Sequence, residues 1–197
     1  MLAPVEVLTT IVVGYLVGSI PVANTVARQH GVTDLRTVGD RNPGFWNALQ
    51  LLGLHRAWPV LVGDAAKGAL AAGLGTLIGP WWLGYLGLGA AMIGHAWPLF
   101  AGGRGGRSVA TFLGGVVVLA PVPVAIAAVA GVIAGGISRR VEWGVRVAVF
   151  AVPVAQLAIE GADRAAGTGC LMTLIGLRFW QAARSDRRCD RATSNAA

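Results

Sequence analysis

Seven apolar runs, at residues 4–28, 57–79, 82–100, 108–120, 122–137, 143–159 and 166–183, take up most of this 197-residue chain. Crossing a bilayer core takes about 20 helical residues at a rise of about 1.5 Å each, and most of the runs are near that length. The chain is 55% hydrophobic and only 13% charged, where soluble domains carry about 25% charged residues. That is too little charge to coat a water-facing globule, so lipid is the solvent this composition fits. The 29 glycines agree, because small residues let membrane helices approach closely. These features predict an all-α integral membrane protein with about seven transmembrane helices. Residues 1–183 form a single polytopic membrane domain, and 184–197 are expected to be a disordered basic tail.

Helix boundaries and orientation follow from prolines and arginines. Run 108–120 is short, and Pro121-Val122-Pro123 follows it; proline interrupts a helix. Residues 108–137 therefore read as two helices joined by a tight turn, with one kinked span as the alternative and five or six spans as fallbacks. The first run lacks a basic flank on its N-terminal side, so it reads as a retained span rather than a cleaved signal peptide. Lys and Arg favour the cytoplasmic side in short loops. With the N-terminus outside and seven crossings, the inner segments hold twelve arginines (28, 36, 41, 56, 104, 107, 139, 140, 184, 187, 188 and 191) and the outer loops hold Arg164 alone. An odd number of spans and a cytoplasmic C-terminus follow.

The net charge of +7 raises the question of nucleic acid. The basic residues lie between apolar runs and form no helix-turn-helix or RNA-binding signature, so no nucleic-acid partner is expected. The two cysteines, Cys170 and Cys189, have no ligand partners at metal-binding spacing. A disulfide between them is not expected on a cytoplasmic tail.

Four polar features interrupt the apolar background. Gly18-Ser19-Ile20-Pro21 lies inside the first run, where Pro21 frees a carbonyl and Ser19 supplies a hydroxyl; the alternative is a packing kink with a self-satisfied serine. The loop 29–55 carries Asp34, Arg36, Gly39, Asp40, Arg41, Asn42, Gly44 and Asn47. Its glycine-permitted backbone can cradle an anion, and its arginines can hold phosphate in bidentate fashion; a solvated loop is the bland reading. Within that loop, residues 43–54 space Phe45, Leu49 and Leu52 as an interfacial helix would.

The third feature is Asp64 with Lys67, three residues apart and on one face of an apolar helix. Ionisable groups at that depth face each other or a polar cavity. The fourth spans residues 94–111, where His95 precedes a glycine-rich turn with Arg104, Gly105, Gly106 and Arg107, then Ser108 and Thr111 at a helix start. That turn suits an anion held by amides, guanidinium and helix dipole. It is not an NTPase P-loop, because Ala101 and Arg107 stand where that pattern needs Gly and Lys.

Taken in order, these segments resemble the bacterial acyl-phosphate-dependent glycerol-3-phosphate acyltransferases, the PlsY family. Gly18-Ser19-Ile20-Pro21 is similar to the family's GSIP opening. Arg36, Val38-Gly39, Asn42, Gly44 and Asn47 resemble its R-x-x-GSGNxGATN segment. Asp64 with Lys67-Gly68 resembles its D-x-x-KG helix, and residues 94–111 resemble its GHxxPxFxxFxGGKGVAT segment. The chain departs from the family with Asp40-Arg41 in place of Ser-Gly and Phe45-Trp46 in place of Ala-Thr. It departs again with Arg107-Ser108 in place of Lys-Gly, and with Arg178-Phe179-Trp180-Gln181-Ala182-Ala183-Arg184 where the family carries RHxxNIxR.

The resemblance implies seven membrane helices in the bacterial inner membrane with the active face cytoplasmic. It implies transfer of an acyl group from acyl phosphate to the sn-1 hydroxyl of glycerol 3-phosphate, forming lysophosphatidic acid for phospholipid biosynthesis, without cofactor or metal and as a monomer. On that reading Ser19, Asn42, Asn47 and His95 orient the acceptor hydroxyl, with His95, Asp40 or Asp64 as candidate bases. Arg36, Gly39, Gly44, Lys67, Arg104, Gly105, Gly106, Arg107, Ser108 and Thr111 hold phosphates, supported by Asp64. The departures leave two alternatives: a divergent paralogue that binds lipid phosphates without this catalysis, or a small transporter.

Overall fold

The computed structural model describes the backbone of residues 4–194 and the side chains of residues 4–185. The described elements are helical: α1 (Pro4–Gly18), α2 (Val22–Gln29), α3 (Phe45–Leu52), α4 (Leu54–Ile78), α5 (Trp81–Ala96), α6 (Val109–Leu119), α7 (Pro121–Ser138), α8 (Val141–Ile159) and α9 (Ala162–Ser194). All seven apolar runs of the sequence are helical. Among the described residues, four segments are long and apolar enough to cross a membrane: the pair α1–α2, α4, α7 and α8. At 16 and 11 residues, α5 and α6 fall short of that length. The chain is a multi-pass membrane protein.

Breaks fall where the sequence supplies them. Pro21 splits the first run into α1 and α2, because it lacks an N–H and disfavours a helical residue before it. Residues 108–137 form two helices, with the non-helical Ala120 (φ −147°, ψ 61°) between them and Pro121 as the first residue of α7, a position where proline's missing donor costs nothing. The interfacial helix expected over 43–54 is α3; it starts at Phe45 behind Gly44, with Pro43 outside it. The helix α9 runs from Ala162 to Ser194, with no Gly or Pro between Ala183 and Ser194. Residues 195–197, and the side chains of Arg187, Arg188, Cys189 and Arg191, lie outside the described residues.

Two apolar cores form. One, including Leu88, Met92, Phe112, Val116 and Ile175, joins α5, α6 and α9. The other, with Ala27, Leu35, Ala48, Ala57 and Val60, seats the loop and α3 on α2 and α4. The α4–α6 crossing is close because Gly68 lies on the Thr111 carbonyl and Gly114 on the Ala65 carbonyl, so a side chain at either glycine would strike backbone. That contact draws the helix bearing Asp64 and Lys67 against the one that follows the glycine-rich turn. At the other end of the bundle, the fully buried Gln156 donates to Tyr85 Oη (2.8 Å) and Glu160 Oε2 (3.1 Å) and accepts from the Thr168 hydroxyl. It thereby ties α5, α8 and α9 together through a polar group paired as burial requires.

Candidate active site

Helix α4 buries both of its charges. Asp64 is 1% and Lys67 4% exposed, and Lys67 Nζ donates to Asp64 Oδ1 at 2.7 Å. From the last turn of α5, His95 places Nδ1 3.6 Å from the same oxygen. The three groups line a narrow cleft, together with Pro21 and Asn24 of the first run and Ala101, Arg104, Gly105 and Gly106 of the glycine-rich turn. An ammonium has three N–H donors, and Asp64 takes one. The other two make no hydrogen bond among the described residues.

The turn itself is placed by its backbone. The last carbonyls of a helix need donors from outside it; Gly105 N donates to Ala96 O and Gly106 N to His95 O, each at 3.1 Å. This corrects the expectation of an amide cradle for anions, because those two amides are already used to close the end of α5. The outer side of the same turn is held by Arg178 of α9, which donates through Nε to Gly106 O (3.1 Å) and through Nη2 to Gly105 O (2.8 Å). Its guanidinium lies 5.0 Å from the Trp97 ring centroid. A second cleft opens on this outer side, lined by Asp40, Arg41, Asn42, Arg107, Arg178 and Gln181 among others. There Arg107 Nη1 donates to Asp40 Oδ2 at 3.2 Å and stacks 4.7 Å from the Phe179 ring centroid.

Several residues expected to contact substrate are committed elsewhere. Ser19 is fully buried and donates to Tyr15 O at 2.8 Å, as the self-satisfied alternative anticipates. Asn47 is a clamp for the loop: Nδ2 donates to Leu35 O and Val38 O at 3.0 Å, and Oδ1 accepts from Asp40 N at 3.3 Å. Gly39, at φ +60°, leaves room for that Oδ1. Gly44 caps α3 and donates its amide to Asn42 O at 2.9 Å. Asn42 lines the outer cleft, with its amide donated to Asp40 Oδ1 at 3.1 Å. Ser108 donates to Met92 O at 2.8 Å. Thr111 is fully buried beneath the turn, with its hydroxyl unpartnered among the described residues, and lines neither cleft.

Arg36 grips Asp34 through Nε and Nη2 (2.7–2.9 Å) and reaches Ala101 O through Nη1 at 2.8 Å. It therefore ties the loop to the wall of the inner cleft instead of pointing into it. The Arg36 guanidinium, aided by the Arg36 amide and Asn24, holds the Asp34 carboxyl at a pKa of about 2 against the opposing effect of partial burial.

Two contributors were missed in the sequence. Asn24, a polar residue on the buried face of α2, donates to Asp34 Oδ1 and accepts from Leu35 N, both at 3.1 Å. Arg178 reaches the turn from the segment that stands where the family carries RHxxNIxR.

Fold and site together define a class: an all-helical, multi-pass membrane enzyme whose cationic cleft lies among helix ends. The particular family follows from comparison. The glycerol-3-phosphate acyltransferase family model matches residues 8–187, and this chain belongs to that family. A glycerol-3-phosphate acyltransferase from Synechococcus sp. (strain JA-3-3Ab) is 41% identical over 148 residues, covering 74% of this chain and 72% of the relative. The enzyme of that name from Rhizobium etli (strain ATCC 51251) is 34% identical over 182 residues, covering 88% and 83%. The crystal structure of PlsY, an integral membrane glycerol 3-phosphate acyltransferase, in its glycerol 3-phosphate form superposes with a TM-score of 0.77 at 25% identity, covering 96% of this chain and 92% of that one. Its lysophosphatidic acid form gives 0.75 at 23% identity.

Proposed function

We propose that this chain transfers an acyl group from an acyl phosphate to the sn-1 hydroxyl of glycerol 3-phosphate. It would act as a monomer in a bacterial inner membrane, with seven crossings, the N-terminus outside and the clefts open to the cytoplasm. The arginine asymmetry between alternate loops supports this orientation. The observation that carries the reading is the Lys67 ammonium, buried on a membrane helix with two donors uncommitted in a cleft bounded by His95 and the Gly105-Gly106 turn.

In the reaction, the acceptor hydroxyl oxygen forms a bond to the donor's carbonyl carbon, and the carbonyl–phosphate bond breaks to release phosphate. The donor already carries a good leaving group, so much of the acceleration comes from holding the two reactants in line. Lys67 supplies positive charge to a phosphate in a poorly hydrated site, where such an interaction is worth more than in water. His95 sets its Nδ1 toward Asp64 and its Nε2 edge against Gly106, at the cleft where the hydroxyl proton passes, directly or through the imidazole, to the departing phosphate. Arg104, exposed at the cleft mouth, draws anions inward. Arg36, Asn24, Asn47 and Arg178 act as positioning residues, because they hold the walls through backbone atoms.

The test is turnover by the purified full chain in detergent or nanodiscs with palmitoyl phosphate and glycerol 3-phosphate, following lysophosphatidic acid formation. An arm with palmitoyl-coenzyme A reads the donor. Product with the acyl phosphate and none with the thioester supports the proposal. Absence of product, alongside a family member that is active under the same conditions, would overturn it in favour of a lipid-phosphate-binding role.

A further inference from the structure

The α7–α8 hairpin carries a feature that the acyl-transfer site does not use. Its connecting turn and the start of α8 line an open cleft with Arg139, Arg140, Glu142, Trp143 and Arg146, bounded on one side by Trp46 of α3. These residues are exposed. Among the described residues, none of the three guanidiniums donates a hydrogen bond or meets a carboxylate, although Glu142 shares the cleft. Arg146 lies over Trp143, 5.2 Å from its ring centroid. The contrast with Arg36, Arg107 and Arg178 is plain, since each of those is bonded to a carboxylate or to carbonyls.

From this basic rim a second cleft, of about 800 Å³, continues along the hairpin. It shares Arg139 and Arg140 and is apolar beyond them: Ala128, Val132, Val145 and Ala148 line it, and Gly131, Gly135 and Gly144, where α7 and α8 meet closely, form its floor. Counting from Ala128 to Arg139, the groove extends about 16 Å along the helix axis. Arginine pairs with phosphate through its planar fork of donors. Tryptophan and arginine together mark the headgroup level of a bilayer, and a dent floored by glycine admits an alkyl chain beside the helices. One ligand has a phosphate at headgroup level joined to a chain that descends into hydrocarbon.

We propose that the α7–α8 hairpin is a binding site for an anionic phospholipid. Its phosphate sits among Arg139, Arg140 and Arg146, and one acyl chain lies over Gly131 and Gly135. Three positive charges against one carboxylate favour a headgroup of net negative charge over a zwitterionic one. The site requires only that the chain sits in a membrane, so it stands apart from the acyl-transfer reading.

The experiment measures lipid retention by native mass spectrometry, with the purified full chain titrated against phosphatidylglycerol, phosphatidylcholine or glycerol 3-phosphate alone. Wild type is expected to retain phosphatidylglycerol in preference to phosphatidylcholine. The triple variant Arg139→Gln, Arg140→Gln, Arg146→Gln is expected to lose that preference by on the order of a hundredfold, at about fivefold per arginine. Arg56→Gln, an exposed arginine outside both clefts, should leave it unchanged. Ala128→Phe keeps every charge but fills the groove, and should weaken retention of the diacyl lipid. Equal retention of both lipids by wild type, or an unchanged preference in the triple variant, overturns the proposal. A triple variant that loses glycerol 3-phosphate binding as much as phosphatidylglycerol retention would also overturn it, by showing a phosphate site without a chain groove.

Discussion

The Gly105-Gly106 turn separates two clefts that are both lined with cations yet differ in what those cations are free to do. On the inner side Lys67 is paired with a carboxylate three residues away on its own helix and keeps two donors for a ligand. On the outer side Arg178 donates Nε and Nη2 to turn carbonyls and Nη1 to Gln181, while Arg107 is held by Asp40. Counting positive residues would rank the outer cleft higher. Burial ranks the inner one higher: Lys67 is 4% exposed with two donors uncommitted, and a phosphate gains most from charge held away from water.

The sharpest way to break this comparison is Lys67→Ala. The kcat/KM for glycerol 3-phosphate should fall by roughly 10²–10³, the range seen when one preorganised donor to developing charge is removed. The unfolding midpoint should also fall, because Asp64 is left buried without its ammonium partner; near-wild-type kinetics of the folded variant would reduce Lys67 to a structural ion pair. Next comes Arg178→Ala, which strips the turn of two charge-assisted hydrogen bonds. A stability loss of about 3 kcal/mol, read as a lowered unfolding midpoint, would show that this arginine acts on the turn. Arg178→Lys should restore little of it, because an ammonium lacks the forked donor geometry.

A smaller effect is expected at the wall that the loop gives to the inner cleft. Asp34 has its pKa lowered from 3.8 to about 2, so its pairing stabilises the fold above pH 3.8 and is lost as the pH falls through about 2. Asp34→Asn should cost about 1–2 kcal/mol at pH 7, and a stability titration should show the difference from wild type closing in that acid window. A difference that persists below pH 2 would place the effect elsewhere. The smallest change is Asp40→Asn. Freeing Arg107 from a partly exposed ion pair should lower KM for the phosphate-bearing substrate by up to about fivefold; an increase would mean that Asp40 positions the loop through Asn42 N.

The helices were readable in advance because burial in lipid writes itself into every residue of a span. The runs, the Pro121 break, the short α3 and the shared face of Asp64 and Lys67 are all consequences of periodicity and proline chemistry. The site was half readable. A sequence shows that Ser19, Asn47 and Ser108 carry polar groups, but a hydroxyl or amide serves a backbone carbonyl as readily as a ligand. Which it serves depends on where the chain returns. The amides of Gly105 and Gly106 illustrate this: their use follows from the carbonyl ends of α5, which only the folded path brings within reach. Asn24 and Gln156 escaped for the same reason, each being a single polar residue whose partners are distant in sequence.

The brevity of α6 has a consequence for where the chemistry sits. Its 11 residues measure about 16 Å, roughly half the thickness of the hydrocarbon layer. The neighbouring α7, with 18 residues, extends about 27 Å from the same junction at Ala120. If that junction marks one boundary of the bilayer, the polar turn at the far end of α6 is recessed well below the opposite boundary. A greasy donor would then meet the protein at its own depth and give up its acyl chain without first being lifted toward water.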